Sequence, residues 1–179
     1  MSRYGAQELA AAFRTVRKNT LQIAEEIAED QYDFVAAPGV RTVRAYLCHI
    51  AFAPTLYEDM HRVQHITTAK GYDFFGILGR LGAEEGKPRS KAEIVELLTT
   101  EGEQFATWLG SLSTDFLEET YTDQNGENPK SRFQSLMSVK EHEMHHRAQL
   151  MLVERLLGIT PHLTRQMQAV RAAMAKPAS

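Results

Sequence analysis

The 179-residue sequence contains one cysteine, Cys48. A single cysteine excludes an internal disulfide and a zinc site built from thiolates, and it is typical of a reducing compartment. No run of about 18 uninterrupted apolar residues is present, and the first eight residues do not contain the apolar segment of a signal peptide. We therefore expect a cytoplasmic protein with no membrane partner.

Positive charge is not in excess. The 20 Lys and Arg residues are balanced by 23 Asp and Glu residues, which gives a formal net charge of -3 at pH 7. A chain without a diffuse cationic field has little attraction for phosphate backbones, so we expect no nucleic-acid partner. The composition, 43% hydrophobic and 24% charged, is that of a globular chain. We expect 1–179 to form one domain, with a core over about 6–158.

Helical periodicity dominates the sequence. Apolar residues recur at helical spacing in four long segments, which are 6–29, 42–63, 90–112 and 131–158. This pattern predicts an all-α fold, a four-helix bundle with a short extra helix over about 161–175 that has Pro161 at its first position.

Two connections interrupt this pattern. A glycine-rich connection over 67–89 follows the second helix, and it predicts a loop with at most one short helix around 73–81. A turn cluster over 123–129 predicts a small β-hairpin. Pro54 lies inside the second helix, where it removes one helical hydrogen bond.

Three histidines lie on the apolar stripes of two of these helices. His142 and His146 are one turn apart on the last long helix, and His49 lies on the second helix between the small residues Ala45 and Ala53. Three imidazole ligands leave a divalent ion with an open coordination position, which is typical of catalytic sites. A lone histidine on an apolar stripe is more often a core residue. Three buried imidazoles without a shared partner, however, would leave several unpaired nitrogens that cost about 1 to 3 kcal/mol each.

Two alternative motifs fit less well. The segment His142–His146 matches the H-E-x-x-H motif of zinc peptidases, which generally take a third ligand from further along the chain. Glu154 is on the same helix, and no glutamate follows it. A ferritin-like di-iron site would use Glu58 and His61, which the helical phase places toward solvent. By the same phase, His61 and His65 are expected to form an exposed pair.

The order and spacing of the histidine motifs resemble those of the DinB superfamily of metal-binding four-helix bundles. The matching segments are Leu47–Ile50 and the H-x-x-x-H-R-x-Q pattern of His142–Gln149. The resemblance implies that His49, His142 and His146 are metal ligands and that Arg147 and Gln149 form the trailing pair of the motif. Ala148 departs from the family, in which glycine is frequent at this position.

The family includes bacillithiol- and mycothiol-dependent transferases and isomerases. The resemblance therefore implies one divalent ion, zinc or nickel with iron as a further candidate, and a low-molecular-weight thiol as a co-substrate. A small-molecule substrate would undergo thiol transfer, isomerisation or hydrolysis. The alternative is a non-catalytic metal-binding protein that senses stress or a ligand with the same residues.

Other residues are candidates for the surroundings of the ion. Glu101 is in phase with the apolar face of the third long helix, so we expect it to accept from a ligating imidazole, to be a fourth ligand or to be a general base. His145 is placed at the edge of the site. Tyr46 and Tyr57 are placed near the mouth of the pocket.

The last long helix has a second apolar strip opposite the histidines, whereas Arg147 and Glu154 are expected to point away from the histidine face. Such a strip must be covered, and the candidates are a second copy of the chain in a homodimer or the C-terminal helix. The strip consists of Phe133, Met137, Met144, Met151 and Leu152.

Overall fold

A computed structural model describes residues 4–175, which form an α-helical bundle with one two-stranded sheet. Helices α1, α2, α4 and α6 pack around the core, which confirms the predicted all-α four-helix bundle. The helices are α1 (Ala6–Glu26), α2 (Val43–Glu58), α3 (Phe74–Glu85), α4 (Lys91–Ser111), α5 (Thr114–Glu118), α6 (Arg132–Leu156) and α7 (His162–Met174). Within 4–175, no helix has the length and apolar character needed to cross a membrane.

The helix ends follow the capping signals of the sequence. Ser90 caps α4 and Ser131 caps α6, each in a capping box with the residue three positions later. Gly158 follows the end of α6 with φ of 80°, a conformation that suits a residue without Cβ. Pro161 is the cap of α7 rather than its first helical residue, because its ψ of 141° is extended.

The two irregular connections contain more structure than a loop. After α2 the chain makes one π-helical turn over Asp59–Val63, and the glycine-rich segment then forms α3, which is longer than predicted. Asp73 caps α3 by accepting from the backbone N–H of Gly76. The predicted hairpin is present as β1 (Thr120–Tyr121) paired antiparallel with β2 (Lys130–Ser131).

A buried arginine joins the four helices of the bundle. Arg17 of α1 is 4% exposed, and its Nε and Nη2 each lie 3.0 Å from a carboxylate oxygen of Glu143 on α6. Its Nη1 donates to the carbonyl of Leu98 on α4 at 2.7 Å, and Nη2 donates to the carbonyl of Ile50 on α2 at 3.2 Å. One side chain therefore fixes the relative positions of α1, α2, α4 and α6.

Two residues that are unfavourable in helices make this contact possible. Pro54 has no N–H, so the carbonyl of Ile50, four residues earlier, lacks its helical donor, and Arg17 supplies one. Gly102 lies against the guanidinium, where a Cβ would be 2.7 Å from Nη1 of Arg17. The carbonyl left by Pro54 and the space left by Gly102 thus accommodate the same side chain.

The expectation that His61 is exposed was wrong. His61 is fully buried: its Nε2–H donates to Ser135 Oγ at 2.8 Å, and Arg132 Nη1 donates to its Nδ1 at 2.9 Å. Burial and the charge of Arg132 lower the pKa of His61 to about 4. The π-helical turn changes the rotation per residue after α2, so phases extrapolated from the α-helix fail there. His65 is exposed as expected, and it contacts Glu119.

The expectation that Glu154 points away to solvent was also wrong. The first turn of α7 covers this part of α6, and Glu154 and His162 are both buried. Burial and the charge of Glu26 raise the pKa of Glu154 to about 7. Among residues 4–175, neither carboxylate oxygen of Glu154 has a hydrogen-bond partner.

Replacing Arg17 with Met should lower the free energy of unfolding by about 3 to 5 kcal/mol, because the Glu143 charge would remain buried without its partner. The double variant Arg17→Met/Glu143→Leu should recover most of the loss. Urea unfolding followed by circular dichroism measures both effects. Arg14→Met is the matched control, since Arg14 is on the same helix but pairs with Glu103 at the surface. A loss no larger than that of the control would contradict the central role of Arg17.

The raised pKa of Glu154 makes stability depend on pH. The folded state holds the proton more tightly than the unfolded state, so this stabilisation is complete below about pH 4.5 and is lost as the pH rises through about 7. The free energy of unfolding of Glu154→Gln, relative to that of wild type, should therefore rise by about 2.5 kcal/mol between pH 5 and pH 8.5. Urea unfolding at both pH values tests this, with the exposed Glu96→Gln as control. An equal difference at both pH values would contradict it.

Candidate metal centre

The three histidines expected to act together lie at one point between α2 and α6. Nε2 of His142 is 3.1 Å from Nε2 of His49 and 3.1 Å from Nε2 of His146. All three ligand atoms lie within 4.8 Å of one another. Zinc–nitrogen bonds of about 2.0 to 2.1 Å place two nitrogens on one ion about 2.9 to 3.4 Å apart. Both 3.1 Å spacings at His142 therefore fit ligands of a single ion.

The outer nitrogens of two of these rings are held by oxygen acceptors. His49 Nδ1 lies 2.8 Å from Glu85 Oε1, and His146 Nδ1 lies 2.7 Å from Gln149 Oε1. Each of these Nδ1 atoms therefore carries the ring hydrogen, and each Nε2 presents a lone pair to the centre of the cluster. Hydrogen bonds of this kind orient metal-binding imidazoles in proteins.

Proton counting within the cluster favours a cation at its centre. His142 Nε2 faces the Nε2 lone pairs of His49 and His146. It can donate only one hydrogen, so it can satisfy only one of these two lone pairs. Burial, together with the neighbouring His146 and His49, lowers the pKa of His142 to about 4, so the ring is neutral near pH 7. A divalent ion would satisfy all three Nε2 atoms at once.

Glu85 was not found by sequence reasoning. It is the last residue of α3, so the glycine-rich connection returns to the bundle and delivers a carboxylate to His49. Its side chain is 17% exposed. Nothing in the local sequence distinguishes Glu85 from Glu84, which points outward and pairs with Lys87. Only the packing of α3 against α2 identifies the partner of His49.

The structure does not bring Glu101 to the cluster. Its side chain is partly buried on α4, and burial and the charge of Glu58 raise its pKa, whereas Arg17 lowers it. Within the described part of the chain, no hydrogen bond connects Glu101 to a ring of the three histidines. The helical phase placed Glu101 toward the interior, but at this level of α4 the interior is occupied by Arg17.

The other candidate residues lie at different distances from the three histidines. His145 is exposed, with its ring centroid 5.0 Å from that of His146, as expected for the edge of the site. Tyr46 is buried with its centroid 5.6 Å from the same ring. Tyr57 instead lines a separate cavity of about 120 Å³. Arg147 is half-buried, and its Nε has no hydrogen-bond partner among residues 4–175.

An open cleft borders Glu85, the hydrogen-bond partner of His49. Its volume is about 720 Å³, and its lining includes Glu85 and Ala45, the residue one turn before His49. Arg44 and Arg89 also line it. A small polar molecule therefore has space next to the second helix on the side of Glu85.

The family model described as the DinB superfamily matches residues 12–150 of this chain. Those residues include all three histidines and Glu85. A comparison with curated proteins finds no match.

Two solved structures from Bacillus subtilis share the fold. YfiT, described as a probable metal-dependent hydrolase with an unusual four-helix bundle topology, is 17% identical, with a TM-score of 0.67 over 89% of this chain and 91% of that chain. The DinB-like protein YjoA is 19% identical, with a TM-score of 0.63 over 84% of this chain and 92% of that chain. At these identities the similarity establishes the fold.

Replacing Glu85 with Gln should weaken zinc binding by about 10- to 100-fold, because the amide orients His49 less strongly and makes the ring a weaker ligand. Competition with a chromophoric chelator measures the affinity. Glu84→Gln is the matched control, since it changes the neighbouring carboxylate on the same helix end. Equal affinities of the two variants would show that Glu85 does not support the ligand.

Proposed function

The chain belongs to the DinB superfamily, and on this basis we propose that it is a metal-dependent enzyme that acts on small molecules at the three-histidine site. The observation that carries the proposal is the convergence of three Nε2 atoms, with the outer ring hydrogens of His49 and His146 already held. The ligands would be His49, His142 and His146.

The proposed roles of the chain's own residues follow from their contacts. Glu85 holds the Nδ1 hydrogen of His49, and Gln149 holds that of His146, so both rings keep a lone pair toward the ion. When bound, a divalent ion supplies a Lewis acid with an open position for a water or a thiolate. Zinc and nickel suit a site of imidazoles, and iron does so as well.

Two reaction classes fit this site. Hydrolysis is favoured by the likeness to YfiT, described as a probable metal-dependent hydrolase. Thiol transfer or isomerisation is favoured by the transferases and isomerases of the family, and it requires a thiol from outside the protein. Cys48 cannot supply that thiol, because it is fully buried and burial raises its pKa. A low-molecular-weight thiol would therefore be a co-substrate.

A peptidase mechanism of the H-E-x-x-H type is disfavoured by the environment of Glu143. That mechanism needs the glutamate as a general base next to the ion. The Glu143 carboxylate is 2% exposed and accepts hydrogen bonds from Arg17, a residue of a different helix that holds it in the bundle core. It is therefore not free to accept a proton from water at the histidine site.

The second candidate function is a metal-binding protein that senses stress or a ligand without turnover. It would use the same three histidines, and the partly exposed His49 and Glu85 would give a ligand access. An assay for substrate turnover distinguishes this function from that of an enzyme.

Elemental analysis of tag-free protein is the first test. We expect about one zinc or nickel ion per chain in wild type and none in His49→Ala, since His49 is the ligand that joins α2 to α6. Tyr57→Phe, a substitution on the same helix outside the cluster, should retain the ion. Wild-type protein that stays free of metal after dialysis against zinc and nickel would overturn the proposal.

Activity is then assayed with the metal-loaded protein on small esters, amides and electrophiles, each with and without a low-molecular-weight thiol. We expect turnover that is lost in His146→Ala while the circular dichroism spectrum is retained. Turnover without thiol identifies a hydrolase, and turnover only with thiol identifies a transferase or isomerase. Metal binding without any turnover would support the sensor instead.

A further inference from the structure

The outer face of α6 carries two large apolar side chains that remain exposed. Met144 is 40% exposed and Leu152 is 58% exposed, on the side of the helix away from the histidine cluster. The C-terminal helix was one of the two expected covers for this strip, but α7 contacts α6 near its end, where Arg155 Nη2 donates to Thr164 Oγ1. Phe133, Met137 and Met151 of the strip are partly buried against the core, whereas Met144 and Leu152 have no cover from the described part of the chain.

This face is symmetric in sequence about Ala148. Met144 and Leu152 lie four residues before and after it, and Glu141 and Arg155 lie seven residues before and after it. At about 100° per residue, all four side chains lie within about 40° of the direction of Ala148. All five residues are exposed, so together they form one continuous surface, which we call the Ala148 face.

Within residues 4–175, neither charge on the Ala148 face has a partner of opposite sign. In this range Glu141 has no hydrogen bond or ion pair, and Arg155 donates only to the Met151 carbonyl and to Thr164 Oγ1, which are neutral. A carboxylate and a guanidinium at equal distances from one central residue are complementary to themselves when the face is turned by 180°.

We propose that two copies of this chain associate through antiparallel α6 helices that cross at Ala148 on a two-fold axis. An axis at Ala148 places each residue opposite the one at the same distance on the other side. Glu141 then faces Arg155 of the second copy, and Met144 faces Leu152 of the second copy. The small side chain of Ala148 allows the helices to approach closely at the crossing.

This dimer leaves the histidine site complete in each copy. His142 and His146 lie on the inner side of α6, toward His49, whereas the Ala148 face is on the outer side. The association is therefore independent of the proposed function, and its test does not require bound metal.

Cysteine cross-linking tests the position of the axis. Only a residue on a two-fold axis faces its own copy, so Ala148→Cys should form a disulfide-linked dimer under mild oxidation. The native Cys48 is fully buried and gives no background. Ala11→Cys, an exposed alanine on α1, is the matched control. Cross-linking of Ala148→Cys that is no faster than that of the control would overturn the proposal.

Charge reversal tests the predicted pairs. By analytical ultracentrifugation, wild type should sediment as a dimer, and Glu141→Arg or Arg155→Glu should each raise the dissociation constant at least about tenfold, because like charges would then meet across the axis. The double variant Glu141→Arg/Arg155→Glu should restore the dimer, since the two pairs reform with opposite polarity. A monomeric wild type at tens of micromolar, or a double variant weaker than both single variants, would overturn the proposal.

Discussion

The buried ion pair between Arg17 and Glu143 sets the geometry on which the histidine site depends. Arg17 binds Glu143, the residue after His142, and the carbonyl of Ile50, the residue after His49. A shift of α2 against α6 would separate the histidines and would also break these bonds. Because a buried charge without its partner is strongly destabilising, the register of the two helices is tied to the stability of the bundle.

The faces of helix α6 make different contacts. One face presents His142 and His146 to α2, and another presents Glu143 to Arg17 in the core. The outer face around Ala148 is exposed and carries no metal ligand. The five-residue segment His142–His146 therefore supplies two histidines of the candidate metal centre and a structural carboxylate, although its H-E-x-x-H pattern alone suggests a peptidase.

The sequence predicted some residues of the site and missed others. His49, His142 and His146 were predicted to converge because each lies on an apolar stripe at helical spacing, and Gln149 follows His146 on the same helix. Glu85 was missed, since its approach to His49 depends on how α3 folds back. Glu101 was placed toward the interior, but phase alone does not show that Arg17 occupies that position.

The sequence by itself determined the all-α class, the approximate limits of the long helices, the caps of α4 and α6 and the candidate ligands, because these depend on periodicity and on contacts within a few residues. Tertiary structure alone decided which carboxylate supports His49, which helices Arg17 joins, and that His61 and Glu154 are buried. These outcomes depend on the packing of segments far apart in the chain and on one π-helical turn, which local helical phase does not encode.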